Sequence, residues 1–184
     1  MEQIHIARHP VLDRDQEIYG YELQFRSPAG SSNDPSAVAR DYPTKLVDIV
    51  DSPEFEKLLG GLPAFVHLTE DFVQKGFSRL LPTEQVIPEL LQTMDADDSL
   101  LETLQKARKE GFRLAFSLLL SDPDYFPVYK EVAFLKVDLN LFQGENLDRL
   151  LQTLQDFPPQ LIADNIHTQE AFELARSKGF DLFQ

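Results

Sequence analysis

The sequence predicts an α/β fold built on a parallel sheet, either a (β/α) barrel or a doubly wound sheet. From residue 63 onward, short apolar runs alternate with amphipathic helical stretches, the order that parallel strands with crossover helices require. One unit occurs twice, as Ala107-Arg-Lys-Glu-Gly-Phe112 and as Ala175-Arg-Ser-Lys-Gly-Phe180. Both copies run from a helix end through a basic turn and a glycine into a strand. Neither a GxGxxG segment nor a Walker-type loop is present, which disfavours the dinucleotide-binding version of the doubly wound sheet.

The elements follow in order. Residues 4–12 and 17–26 alternate apolar and polar positions around Asp13-Arg14-Asp15-Gln16, and read as two strands joined by a hairpin turn. Residues 27–35 (SPAGSSNDP) form a loop of small and polar residues. Helical patterns cover residues 36–50 and 53–59. Residues 63–68 (PAFVHL) are a buried-strand pattern, after which Thr69 caps a helix whose first turn carries Glu70 and Asp71. Residues 85–90 form the next strand. Residues 97–110 are an amphipathic helix with Leu100, Leu101, Leu104 and Ala107 on one face and Gly111 past its end. Strands are expected at 112–120, 133–139 and 160–164, helices at 146–156 and 168–177, and a last strand over 180–184. A chain ending on a strand without its covering helix reads as a domain excised from a longer one.

The composition excludes several classes. Seventeen Lys and Arg stand against 31 Asp and Glu in 184 residues, a net charge of −14. A nucleic-acid polymer needs a basic face, so it is excluded as a partner, although a local basic pocket for a small nucleotide is not. No cysteine is present, which removes disulfides, thiolate zinc sites and cysteine nucleophiles. No apolar run approaches the ~20 residues that span a bilayer, and MEQIHIARHP has neither the basic nor the apolar region of a signal peptide. A cytoplasmic domain, monomeric or dimeric, is expected.

Polar residues at the ends of expected strands are the candidates for chemistry: Glu22, His67, Glu89, Lys136, Asp138 and Asp164. In a βα barrel, strand C-termini form the active-site face, and charges within apolar strands are costly unless paired or liganded. Lys136 and Asp138 are spaced by two and point to one side of a strand. They read either as site residues or as a structural Lys–Asp pair filling a polar barrel core. Glu22, Glu89 and Asp164 are oxygen ligands of the kind magnesium or manganese takes. His67, flanked by Val66 and Leu68, reads equally as a core histidine. His9 and His167 fall in loops or at caps. Arg26 is placed to grip a phosphate or to pair with a surface acid. No Ser–His–Asp ordering or G-x-S-x-G elbow occurs.

The segments Ile6-Ala-Arg-His-Pro-Val-Leu-Asp13 and Tyr19-Gly-Tyr-Glu-Leu-Gln-Phe-Arg26 resemble the start of EAL domains, the cyclic di-GMP phosphodiesterase family. They are most similar to the EAL-type module found ahead of an HDOD domain in bacterial signalling proteins, which typically reads A-R-Q-P-I-x-D and then Y-E-L-L-F-R. The resemblance extends in order over nearly the whole chain and implies one EAL-like domain over residues 1–184. The implied fold is an EAL-type, TIM-like (β/α) barrel with a modified start, here truncated at its C-terminus. The implied chemistry is hydrolysis of a cyclic dinucleotide by two cations, magnesium or manganese, that activate a water.

Residue by residue, the resemblance places the signature Glu at Glu22 and the arginine closing the motif at Arg26. The N-x-S/T motif becomes His67-Leu68-Thr69, with His for Asn. E-x-x-E becomes Glu89-Leu90-Leu91-Gln92, keeping the first Glu. The Asp-Asp pair falls on Ser117-Leu118, and both carboxylates are lost. K-x-D is intact as Lys136-Val137-Asp138. A-E-x-x-E-T becomes Ala163-Asp164-Asn165-Ile166-His167-Thr168, and the G-x-D-x-x-Q motif ends at Gln184.

A Ser and a Leu in place of two anionic ligands remove most of the attraction for hard dications. The resulting expectation is a catalytically inactive EAL-like domain that needs no metal. It would act as a regulatory or protein-interaction module on its own C-terminal signalling domain or on a partner protein, with a homodimer as one arrangement. Two alternatives stand beside it. One is a receptor that holds cyclic di-GMP through Arg26, Glu22 and Gln184 without cleaving it. The other is a hydrolase with a changed metal held by Glu22, His67, Glu89 and Asp164.

Overall fold

The computed structural model describes residues 5–26, 46–47, 49–50, 52–68, 81–92 and 96–184. Eight strands close into a barrel in sequence order: β1 (His5–Leu12), β2 (Ile18–Arg26), β3 (Ala64–His67), β4 (Val86–Leu91), β5 (Ala115–Leu118), β6 (Phe134–Asp138), β7 (Gln160–Asp164) and β8 (Leu182–Phe183). Strands β2 to β8 run parallel. β1 is antiparallel to both β2 and β8. The expected barrel is therefore present, and its modified start is the hairpin that inserts β1 into the ring. Asp13 makes that hairpin turn, its carboxylate accepting from the amides of Asp15 at 2.9 Å and Glu17 at 3.0 Å.

Five helices are described: α1 (Pro53–Leu59), α2 (Asp98–Lys109), α3 (Phe126–Tyr129), α4 (Gly144–Leu154) and α5 (Gln169–Ser177). Asp97 caps α2 through the Leu100 amide at 2.9 Å. Thr168 caps α5 through the Ala171 amide at 3.1 Å, each satisfying a donor the helix itself leaves open. α2 buries Leu100, Leu104 and Ala107, and α4 buries Leu147, Leu150, Leu151 and Leu154, joining a core that lies between helices and sheet. The expected helix over 36–50 lies largely outside the described residues, as does the Thr69 cap with Glu70 and Asp71.

Two expected strands are shorter by three residues or more in the structure. β5 covers Ala115–Leu118 rather than 112–120. At its start the Phe112 amide returns to the Ala107 carbonyl of α2. At its end the amides of Leu119 and Leu120 are taken by the side-chain oxygen of Gln92, at 2.7 and 2.9 Å. Those backbone groups are satisfied without a neighbouring strand, so the ladder stops. β8 is likewise confined to Leu182–Phe183.

The barrel interior is layered. Val11, Phe65, Ile87, Ala115, Phe134, Ile162 and Leu182, from seven of the eight strands, form one buried apolar cluster, with Tyr19 of β2 packed against it. Phe65 and Phe134 meet edge to face at 5.3 Å, and Tyr19 lies 6.0 Å from Phe134. Side chains alternate faces along a strand, so two residues further on the parallel strands return to the interior at its C-terminal end. Those positions are His67, Glu89, Ser117, Lys136, Asp164 and Gln184. An apolar layer thus carries a polar one directly above it. Gly20 is needed where β2 meets β3, because a Cβ there would lie 2.5 Å from the Pro63 carbonyl oxygen, which accepts the Tyr21 amide at 2.9 Å. Phe65→Ala is expected to hollow the apolar layer and lower unfolding free energy by ~3–5 kcal/mol, measured by urea denaturation.

Candidate functional site

Glu22 and Glu89 are 3 % and 1 % exposed, and Lys136 is 5 % exposed. All three meet at the C-terminal mouth of the barrel. The Lys136 ammonium is hydrogen-bonded to Glu22 Oε2 and lies 3.4 Å from Glu89 Oε1 and 3.9 Å from Asp164 Oδ2. Gln184 Nε2 donates to Glu22 Oε2 at 2.8 Å, and Gln24 Nε2 to Glu22 Oε1 at 3.1 Å. Ser117 Oγ donates to Glu89 Oε1. His67 is half-buried and turns Nε2 toward both carboxylates, 3.6 Å from Glu22 Oε1 and 3.9 Å from Glu89 Oε1. Glu89 Oε2 and His67 Nδ1 are buried without a partner among the described residues.

The parallel register explains this convergence. His67 pairs with Glu89 across β3 and β4, Ser117 with Lys136 across β5 and β6, and Asp138 with Asp164 across β6 and β7. Between these pairs the register steps by two residues, with Glu89 opposite Ala115 and Lys136 opposite Ile162, the stagger that closing a barrel imposes, and residues far apart in sequence so come to share one ring.

The charges tune each other. Burial opposes ionisation of Glu22, but the contacts with His67 and Lys136 outweigh it and hold its carboxyl well below the usual range. Burial likewise works against a charged Lys136, and Glu89, Glu22 and Asp164 together raise it above the ordinary lysine value. For His67 burial lowers the pKa, while Glu22 and Glu89 raise it further, so its net position is above the ordinary histidine value. For Asp164 burial dominates, and its carboxyl is raised in spite of Lys136.

Five of the six strand-end candidates, Glu22, His67, Glu89, Lys136 and Asp164, are brought together, and Gln184 joins them. The sixth, Asp138, borders the same cavity but does not pair with Lys136 as the two-residue spacing allowed. Its Oδ1 accepts the Asn140 amide at 2.7 Å and shapes the turn after β6, while Lys136 turns to the glutamates. Of the four proposed metal ligands, Glu22, His67 and Glu89 place ligand atoms within 4.8 Å of one another, and Asp164 is not part of that group. Leu118 is 1 % exposed, part of the outer core, and borders the cavity. Arg26 ends β2, paired with His5, but its side chain lies outside the described residues.

His9 and His167, read from the sequence as loop or cap residues, both line the cavity, and His9 lies within β1 opposite Glu22. Gln92 was read only as the lost second Glu of its motif, yet it holds the backbone after β5. One signal in the sequence marks the ring: an interior apolar residue followed two positions later by a polar one, in Phe65-Val66-His67, Ile87-Pro88-Glu89, Ala115-Phe116-Ser117, Phe134-Leu135-Lys136, Ile162-Ala163-Asp164 and Leu182-Phe183-Gln184.

The ring opens into a cavity of about 590 Å³. Among the described residues lining it are four carboxylates, Glu22, Glu89, Asp138 and Asp164, one ammonium, Lys136, and the imidazoles of His9, His67 and His167. Among these residues the acidic side chains outnumber the basic ones.

No protein-family model matches the chain. Among curated proteins it is 26% identical over 188 residues to cyclic di-GMP phosphodiesterase CdgJ of Vibrio cholerae, covering 98% of this chain and 42% of that protein. The chain spans less than half the length of the curated relatives it matches. Among solved structures it superposes on the PaMucR phosphodiesterase in complex with cyclic di-GMP with a TM-score of 0.78, at 13% identity, over 99% of this chain and 93% of that one. It superposes on Bacillus subtilis YkuI, a protein with an EAL domain in complex with cyclic di-GMP and calcium, with a TM-score of 0.75 at 14% identity, over 98% of this chain and 54% of that one. No helix among the described residues is long and apolar enough to cross a membrane.

The raised His67 pKa has a sign that stability measurements read. A base whose folded pKa exceeds its unfolded value stabilises the fold in full below the unfolded pKa, here 6.5, and this is lost as pH rises through the folded value. Thermal midpoints of the protein should therefore fall as pH rises above 6.5, and His67→Gln should flatten that slope in scanning calorimetry.

Proposed function

We infer that this chain, an EAL-family domain by sequence and by fold, is catalytically inactive and works as a regulatory or protein-interaction module in bacterial signal transduction. The observation that carries this reading is the end of β5. The resemblance places an Asp pair there in the hydrolases, and this chain has Ser117 and Leu118. Ser117 is a hydrogen-bond donor to Glu89, and Leu118 is buried against the outer core. Neither supplies the charge that bridges two dications and activates a water between them.

The remaining donors do not fit a two-metal site of magnesium or manganese. Glu22, His67 and Glu89 offer ligand atoms close enough for one centre at most, and the Lys136 ammonium already contacts both glutamates. Relatives are named as phosphodiesterases or hold cyclic di-GMP, which supports a common ancestry of the cavity. The lining weighs against a receptor role for the same pocket, because cyclic di-GMP is doubly anionic and, among the described residues, four carboxylates stand against Lys136 and His67. A fold outlasts its chemistry when the residues that stabilise it differ from those that react. The output would then pass to a signalling domain, attached or separate, in the cytoplasm.

The test is a titration of the protein with cyclic di-GMP at saturating magnesium or manganese, followed by chromatography of the nucleotide and by calorimetry. No linear product and no binding heat are expected. Heat without product would replace this reading with that of a receptor. Product formation would overturn inactivity and show that His67 rebuilds the site without the Asp pair.

A further inference from the structure

We propose that the Lys136 ammonium is the resident cation of this barrel mouth, holding together the carboxylates that dications would otherwise hold, so that the site is assembled without metal. The proposal rests on the inactive reading above and specifies what fills the place of the ions.

Three carboxylates converge on one nitrogen. Lys136 Nζ is hydrogen-bonded to Glu22, 3.4 Å from Glu89 and 3.9 Å from Asp164. It sits in the group formed by Glu22, Glu89 and His67, whose ligand atoms lie within 4.8 Å of one another. The metal-dependent pattern that the chain resembles keeps this lysine too, but there an Asp pair adds two carboxylates where this chain has Ser117 and Leu118, so here a dication would meet the same buried positive charge with fewer ligands to offset it.

The neighbours of the glutamates are donors rather than further acceptors. Gln184 and Gln24 each give an N–H to Glu22, and Ser117 gives its O–H to Glu89. Position 117 is decisive in this respect. An Asp there would place a third acceptor against Glu89 and require a cation between them. A Ser supplies a proton instead, and the repulsion becomes a hydrogen bond. Substitution at 117 and the placement of Lys136 act in one direction, since each satisfies a buried oxygen from within the protein. Glu89 Oε2, which no described donor meets, and His67 are the ligand atoms left for an ion once the ammonium is gone.

The test compares thermal unfolding of the protein and of Lys136→Met in chelator and in millimolar manganese, together with manganese titration calorimetry on both. The unaltered protein should show the same midpoint with and without manganese, and no saturable heat. Lys136→Met should unfold about 10 °C lower in chelator, since it leaves buried carboxylates without their cation. Manganese should restore most of that loss in a saturable manner. A manganese-dependent rise in the midpoint of the unaltered protein, with one-to-one binding heat that Glu89→Gln abolishes, would overturn the proposal. So would a Lys136→Met variant as stable as the parent, or a destabilised one that manganese leaves unchanged. If Lys136→Met does not fold, the calorimetry of the unaltered protein alone decides between resident ammonium and bound ion. Metal binding without nucleotide cleavage would sink this inference and leave inactivity standing, whereas cleavage would sink inactivity itself.

Discussion

Glu22 and Glu89 are carboxylates buried almost completely at the end of a closed barrel, and an ionised carboxylate so placed costs several kcal/mol unless a cation or donors meet it. Everything around them answers to that cost. Lys136 reaches across the ring from β6, Gln184 from the end of β8, Gln24 from β2 and Ser117 from β5. His67 adds a base held above its ordinary pKa by the same charges. The contributions are mutually dependent. Removing one donor exposes the desolvation of the group it served, which is why such a network is worth more than its pairs taken singly.

The network has a firm base because the layer below it is apolar and filled. Phe65, Phe134 and Tyr19 stack against one another across the barrel, with Ile87, Ile162, Leu182 and Val11 closing the gaps. A packed layer limits the travel of each strand, so the polar layer two residues above is held in register. Stability is built mainly from this layer and from the helix-facing core, while the polar ring carries the buried charge. The two can change separately, because the residues that fill the apolar layer are not those that form the polar ring.

Much of the fold was legible in the sequence. β7 has the expected bounds, and α2 and α5 each begin one residue after the expected start, where Asp97 and Thr168 serve as caps, because periodicity acts over a few residues. The ends of β5 were not legible. The start depends on the return of the Phe112 amide to Ala107, and the end on the Gln92 side chain, which reaches 27 residues along the chain to take the Leu119 amide. The polar ring was read in part. Glu22, His67, Glu89, Lys136 and Asp164 stood out as charged or polar residues at apolar strand ends. Ser117 and Gln184 were visible only through the family resemblance, and His9, read as a loop or cap residue, lies in β1 within the strand expected over residues 4–12.

The sequence by itself determined the alternation of strands and helices, the hairpin that begins the barrel and the absence of a carboxylate at positions 117 and 118, since each is written in local pattern or in the identity of single residues. Only the tertiary structure decided which groups face each other. Lys136 and Asp138 have a spacing that suits an ion pair, yet Lys136 turns to Glu22 and Glu89 while Asp138 caps its own turn. That choice depends on closure of the ring. It brings Glu22, 114 positions away in the chain, within reach of the ammonium, and a buried ammonium between carboxylates is stabilised far more than one beside a solvated aspartate.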